Sequence, residues 1–169
     1  DQICQALECI HADGVIHRDL KPGNVWLAQD GTVKLGDFGL AATVDRSRIT
    51  QAGMILGTVA YMPPEQALGR PPEPRSDLYA LGAMLYEMVT GRLAFAASTP
   101  SAALAAVLER EVALDPLIPP GLWAVLTRAL SKKPADRQQS VEQLRWELEE
   151  AVGYGEASGQ QALQALGVH

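Results

Sequence analysis

Residues 17 to 25 read HRDLKPGNV and set a histidine, an arginine, an aspartate, a lysine and an asparagine into one short polar stretch. Asp19, with an amine two residues on at Lys21 and an amide three residues after that at Asn24, could serve one reaction centre. A helix could not use the three together, because offsets of two and five scatter around its axis. Pro22 and Gly23 also argue against a regular element. The stretch is therefore predicted to be a loop whose polar groups converge.

The elements around it must do the positioning. DQICQALECIHA carries apolar residues at 3, 7 and 10, a helical stripe that Gly14 stops; with no cap ahead of it, this helix is expected to begin before residue 1. VIH, VWLA and TVKLG read as short strands, the last two joined by an Asp30-Gly31 hairpin turn. Residues 40–64 show no clean period and read as a long loop, a feature that is usually functional in a compact domain. SDLYALGAMLYEMVTG has Ser76 as a cap, apolar residues on nearly every face and Gly91 as a stop, so it is predicted to be the buried centre. Amphipathic helices follow near 99–110, 120–131 and 140–152. In the last, Ser140 and Gln143 form a capping box, and Val141, Leu144, Leu148 and Val152 form one stripe. GYGEASGQQ reads as linker. The expectation is one mainly helical α+β domain over residues 1–151, with a small β-hairpin at one edge, and a linker or tail over 152–169.

Composition narrows the function. At 169 residues, 47% hydrophobic and 20% charged, the chain is long enough and apolar enough for a sizeable core. A net charge of −6 leaves no basic stripe for nucleic acid. The apolar run Leu78 to Tyr86 is too short to span a bilayer, so no membrane segment is expected. Cys4 and Cys9, five apart on a helix, fall on different faces and suit reduced thiols in a cytoplasmic setting.

Asp37-Phe38-Gly39 follows directly on the second strand of the hairpin. The seven specified residues of HRDLKPxN would match at a given position about once in 10⁹ at roughly 5% usage each. Together these motifs resemble the protein kinase signature, and GTVAYMPPEQ, SDLYALG and Arg137 extend the resemblance to about residue 151. It resembles most the bacterial, eukaryotic-like Ser/Thr protein kinases, and among their parts the C-terminal lobe.

The resemblance implies transfer of the γ-phosphoryl of Mg-ATP to Ser/Thr hydroxyls of protein substrates. Asp19 would accept the hydroxyl proton and Lys21 would stabilise charge on the transferring group. Asn24 and Asp37 would supply hard oxygen ligands to Mg²⁺, with Gly39 allowing the sharp turn that follows. Trp26 takes the position of the floor beneath the adenine ring. Arg18 would await an anion from the long loop, for which Thr50 is the candidate phosphorylation site, and Thr58 would hold the acceptor near Asp19. His17 would pack with Phe38, Glu65 would pair with Arg137, and Asp77 would accept hydrogen bonds from the catalytic-loop backbone. The glycine-rich phosphate loop and the VAIK-type lysine are not found in these residues, so an N-terminal lobe is an expected partner. Two rival readings are a kinase-like scaffold without turnover and a small-molecule phosphotransferase. The intact Asp19, Lys21, Asn24 and Asp37 speak against the first, and GTVAYMPPEQ with SDLYALG against the second.

Overall fold

A computed structural model describes the backbone of residues 1–37 and 59–165, with side chains through residue 153 among these. Phe38, Gly39, Thr50 and Thr58, with most of the expected long loop, lie outside the described residues. Helix α1 runs Gln2–Ala12 and closes in a Schellman motif: Val15 N donates to Ile10 O at 2.8 Å and Gly14 N to His11 O at 3.0 Å. Gly14 takes φ of 72°, the left-handed region glycine enters freely. This geometry overturns the expected VIH strand. The Val15 N–H is committed to the helix end and the His17 N–H to a side chain, so the two donors that would share one strand edge are both taken.

Strands β1 (Val25–Leu27) and β2 (Val33–Leu35) pair antiparallel, Val25 opposite Leu35 and Trp26 opposite Lys34. Their turn contains Asp30-Gly31: Gly31, at φ of 81°, donates to Ala28 O, and Asp30 Oδ1 accepts from Thr32 N at 2.9 Å. Helix α2 is the short Pro64–Ala67. Helix α3, Pro74–Thr90, starts two residues ahead of the expected serine cap, because Pro74 suits a first helical position. Glu73 is the cap, and Ser76 sits in the first turn with its Oγ accepting from Glu73 N at 3.0 Å.

Leu78, Tyr79, Leu81, Met84 and Tyr86 are all buried, so α3 is enclosed as its apolar sequence predicts, except towards its C-terminal end, where Met88 is 68% exposed. Each fully buried leucine contributes roughly 1.5–3 kcal/mol relative to exposure. At Gly82 a neighbouring helix comes close: a Cβ there would stand 2.9 Å from Ala129 Cβ. Ala129 closes helix α5 (Pro120–Ala129), which follows α4 (Pro100–Glu109), capped by Thr99 through Ala102 N.

Helix α6, Val141–Ala165, departs from expectation in three ways. Ser140 Oγ accepts from Gln143 N at 3.2 Å, but Gln143 Oε1 reaches back to Gln139 N at 2.9 Å, one residue beyond the capping-box partner. Val152 is 54% exposed because it lies past the end of α5, where Gly121 faces Ala151. The backbone also stays helical through GYGEASGQQ. Gly153, Gly155 and Gly159 disfavour helix by about 1 kcal/mol each relative to alanine, but Ala, Glu and Gln between them favour it and no proline intervenes. No helix among the described residues is long and apolar enough to cross a membrane. Cys4 is buried, Cys9 is exposed, and both are free thiols.

The observed chain is thus mainly helical α+β, with a two-stranded hairpin at the edge where the polar loop lies.

Candidate active site

The loop from Ile16 to Lys21 is fixed from beneath by one carboxylate. Asp77, 1% exposed in the first turn of α3, accepts from His17 N at Oδ2 and from Arg18 N at Oδ1, both at 2.9 Å. His11, in the last turn of α1, places Nε2 2.7 Å from the same Oδ2. These bonds hold Arg18 at φ of 71°, a conformation that costs of order 1–3 kcal/mol for a residue with a side chain. His17 and Leu20 are buried, at 0% and 2% exposure, whereas the Asp19 side chain between them stays 26% exposed.

Asp19 Oδ2 receives Lys21 Nζ at 2.7 Å, each side chain 26% exposed. Asn24 is buried on the 3-10 turn Pro22–Asn24, and its Nδ2 donates to Asp19 O at 2.8 Å and to Oδ2 at 3.2 Å. That turns the Asn24 amide oxygen away from Asp19. Gly36 N donates to Asn24 O at 2.9 Å and so carries the backbone of Asp37 alongside; Asp37 takes φ of 58°. Asp19, Lys21 and Asn24 are therefore in mutual contact, with Asp37 one residue from a direct backbone bond to them. Trp26, 60% exposed, projects from β1.

A second assembly lies below the end of the long loop. Arg137, 0% exposed, meets Glu65 bidentately: Nη1 to Oε1 and Nη2 to Oε2, both at 2.8 Å. Its remaining N–H groups donate to Arg75 O, Ser131 O and Lys132 O, so all five donors are used. Ser76 Oγ adds a bond to Glu65 Oε1 at 2.7 Å, and the guanidinium lies 4.8 Å from the Tyr79 ring centroid. Burial pushes the Glu65 carboxyl up, but the Arg137 and Ser76 bonds outweigh it and hold the group below its ordinary value. Tyr61, between the two assemblies, donates to Glu87 Oε2 at 2.5 Å; burial and that carboxylate raise its phenol well above the usual range. A small cavity beside Asp19 is lined by Arg18, Tyr61, Met62, Pro63 and Gln66.

Sequence reasoning missed His11, which has no motif around it and lies 66 residues from Asp77. It also missed the three backbone carbonyls that complete Arg137, since a carbonyl carries no sequence signal.

Residues 1–146 match the family described as protein kinase domain. The serine/threonine-protein kinase PknA of Mycobacterium tuberculosis is 42% identical over 141 residues, covering 83% of this chain and 33% of the relative. A probable serine/threonine-protein kinase of Corynebacterium efficiens is 40% identical over 157 residues, covering 87% and 24%. Another from Streptomyces coelicolor is 40% identical over 178 residues, covering 99% and 26%. The chain spans about a quarter to a third of the length of these curated relatives. With that match added to the anchored HRDLKPGN loop, the chain belongs to the protein kinase domain family.

Proposed function

We propose that this chain supplies the catalytic loop of a serine/threonine protein kinase, moving the γ-phosphoryl of ATP to a protein hydroxyl. The observation that carries the reading is the Asp19–Lys21–Asn24 contact set, held in place by Asp77 and open to solvent on one side. A loose phosphoryl-transfer transition state needs positioning and charge neutralisation above all, and both require such preorganisation.

Asp19 accepts the hydroxyl proton and aims the attacking oxygen; Lys21, beside it, meets negative charge on the transferring group. The donor set suits Mg²⁺. The Asn24 amide oxygen is turned away from Asp19 and Asp37 would supply a carboxylate, and Mg²⁺ takes one or two such protein oxygens with phosphate completing its shell. When bound, the ion neutralises phosphate charge. Trp26 lies beneath the nucleobase. Within the described residues Arg18 Nε is buried without a hydrogen-bond partner, which supports its role as receptor for a phosphate on Thr50. The cavity lined by Tyr61, Met62 and Pro63 receives the acceptor segment of a protein substrate, which Thr58 holds near Asp19. The Glu65–Arg137 pair anchors that platform, and His17, Phe38 and Gly39 set the backbone around Asp37. Residues 1–151 form the larger lobe and 152–169 a tail, with an N-terminal lobe as partner for the ATP phosphates. The proposed setting is cytoplasmic.

The test is phosphoryl transfer by the full-length protein to a generic Ser/Thr protein substrate. Asp19→Asn is expected to lower kcat by about 10²–10⁴-fold. A near wild-type rate would sink the reading.

A further inference from the structure

The segments on either side of α4 build a second cavity, which shares no lining residue with the one beside Asp19. Tyr86 comes from α3, Arg92 and Leu93 from the chain after it, and Arg110 and Ala113 from the chain just past α4. The space between them is about 400 Å³, within the roughly 300–1,000 Å³ usual for small-molecule sites. Leu93, Ala94 and Ala113 give it an apolar wall. Arg92, 66% exposed, donates from Nη2 to Asp115 Oδ2, and Asp115 Oδ1 accepts from Leu117 N at 3.0 Å. Both oxygens of this buried carboxylate are thereby engaged. Arg110 donates from Nη2 to Ala96 O at 3.2 Å. Among the described residues each guanidinium spends one of its five N–H groups, so each is oriented by one bond and keeps donors for a ligand. The same charges converge on the Tyr86 hydroxyl, which donates to Ala113 O at 3.3 Å. Burial raises that phenol above its ordinary value, Asp115 adds to the rise, and Arg92 and Arg110 act in the opposite sense. Glu109 and Glu111 flank Arg110 in sequence, but neither lines the cavity. It is faced by two cations and one carboxylate that is already paired, which leaves one positive charge uncompensated.

We propose that this cavity binds a small organic monocarboxylate, with Arg92 and Arg110 holding the carboxylate and Leu93, Ala94 and Ala113 covering its apolar body. A guanidinium fork matches the two oxygens of a carboxylate, and bonds between ionised partners are roughly twice as strong as neutral ones. One uncompensated positive charge suits a monoanion better than a phosphate dianion. An apolar wall gains from a hydrocarbon body and gains nothing from inorganic phosphate. Asp115 is a positioning residue here, because it holds Arg92 while its own two oxygens are occupied. A ligand so bound ties the chain ahead of α4 to the chain behind it. The proposal does not depend on the phosphoryl-transfer reading.

The experiment titrates the full-length protein with phenylacetate and follows binding by saturation-transfer NMR. With about ten non-hydrogen atoms, this probe should bind with a Kd of roughly 1 mM. Phenethyl alcohol, which keeps the ring and loses the charge, should bind about tenfold more weakly. Two variants locate the site. Arg110→Gln should weaken phenylacetate binding about tenfold. Ala113→Trp, which keeps both arginines and fills the cavity, should abolish it. Circular dichroism checks that both variants fold. No binding of phenylacetate, equal binding of the alcohol, or unaltered binding by either folded variant would overturn the proposal. Equal displacement by inorganic phosphate would overturn it too, since charge alone would then be read. A hexapeptide of alternating Glu and Leu that bound more tightly than phenylacetate would give the cavity to a protein partner and overturn the small-molecule site.

Discussion

Two carboxylate–cation contacts of nearly equal length differ in what surrounds them. Glu65–Arg137 closes at 2.8 Å with side chains 5% and 0% exposed, and Asp19–Lys21 at 2.7 Å with both 26% exposed. The buried pair uses every donor on Arg137 and has no capacity left for a ligand. The open pair leaves Lys21 donors and an Asp19 oxygen facing outward, where a substrate can displace solvent. Distance alone does not separate a structural ion pair from one proposed to act on a substrate; saturation and burial do. A buried charge holds a fold chiefly because removing its partner is ruinous, whereas an exposed pair adds little to stability and is free to exchange partners.

The comparison breaks most visibly at Arg137. Arg137→Met should destabilise the protein by about 3–5 kcal/mol in denaturant unfolding, because Glu65 is left charged and buried. Asp19→Asn, expected to cripple transfer, should change stability by less than about 0.5 kcal/mol. If the two variants unfold alike, the distinction between the pairs fails.

Asp77 sharpens it from the other side, since this buried carboxylate serves the open pair. Asp77→Asn loses charge-assisted bonds to His17 N and Arg18 N and should cost about 1.5–3 kcal/mol. It should also slow phosphoryl transfer, because Arg18 no longer has a reason to keep its left-handed backbone. His11→Ala is expected to cost less, about 1 kcal/mol, and the double variant should fall short of the sum by at least about 0.5 kcal/mol. Strict additivity would show that His11 acts elsewhere.

These residues also show where the sequence stopped being readable. HRDLKPGN and the largely apolar α3 were legible because local identity and helical period carry them. The Glu65–Arg137 contact joins residues 72 apart and came only through family resemblance. His11 was invisible because its partner is set by how α1 crosses the start of α3. The VIH strand failed for a related reason. Val15 and His17 alternate like strand residues, yet their N–H groups are taken by a helix end and by Asp77, and only tertiary structure decides that.

The smallest expected effect is the pH response of the buried pair. The folded Glu65 carboxyl titrates below its ordinary value of 4.5, since the Arg137 and Ser76 bonds outweigh its desolvation. A depressed carboxyl contributes stability that is fully present above its unfolded pKa and is lost as pH falls through the folded one, because the unfolded chain binds the proton first. Wild-type stability should therefore hold from neutral pH down to about 4.5 as far as Glu65 is concerned, and decline below it. In Arg137→Met the desolvation that is the largest influence on Glu65 loses its main opponent, and the carboxyl should move above its ordinary value. The sign then reverses. The penalty is greatest where an unpaired carboxylate must stay charged, and protonation relieves it as pH falls. The stability gap between the two proteins should narrow steadily from pH 7 towards pH 4, measured by urea unfolding at each pH. Asp19→Asn, compared in the same way, should track the wild type throughout. A gap that stays constant with pH would mean that Glu65 does not carry its charge into the folded core.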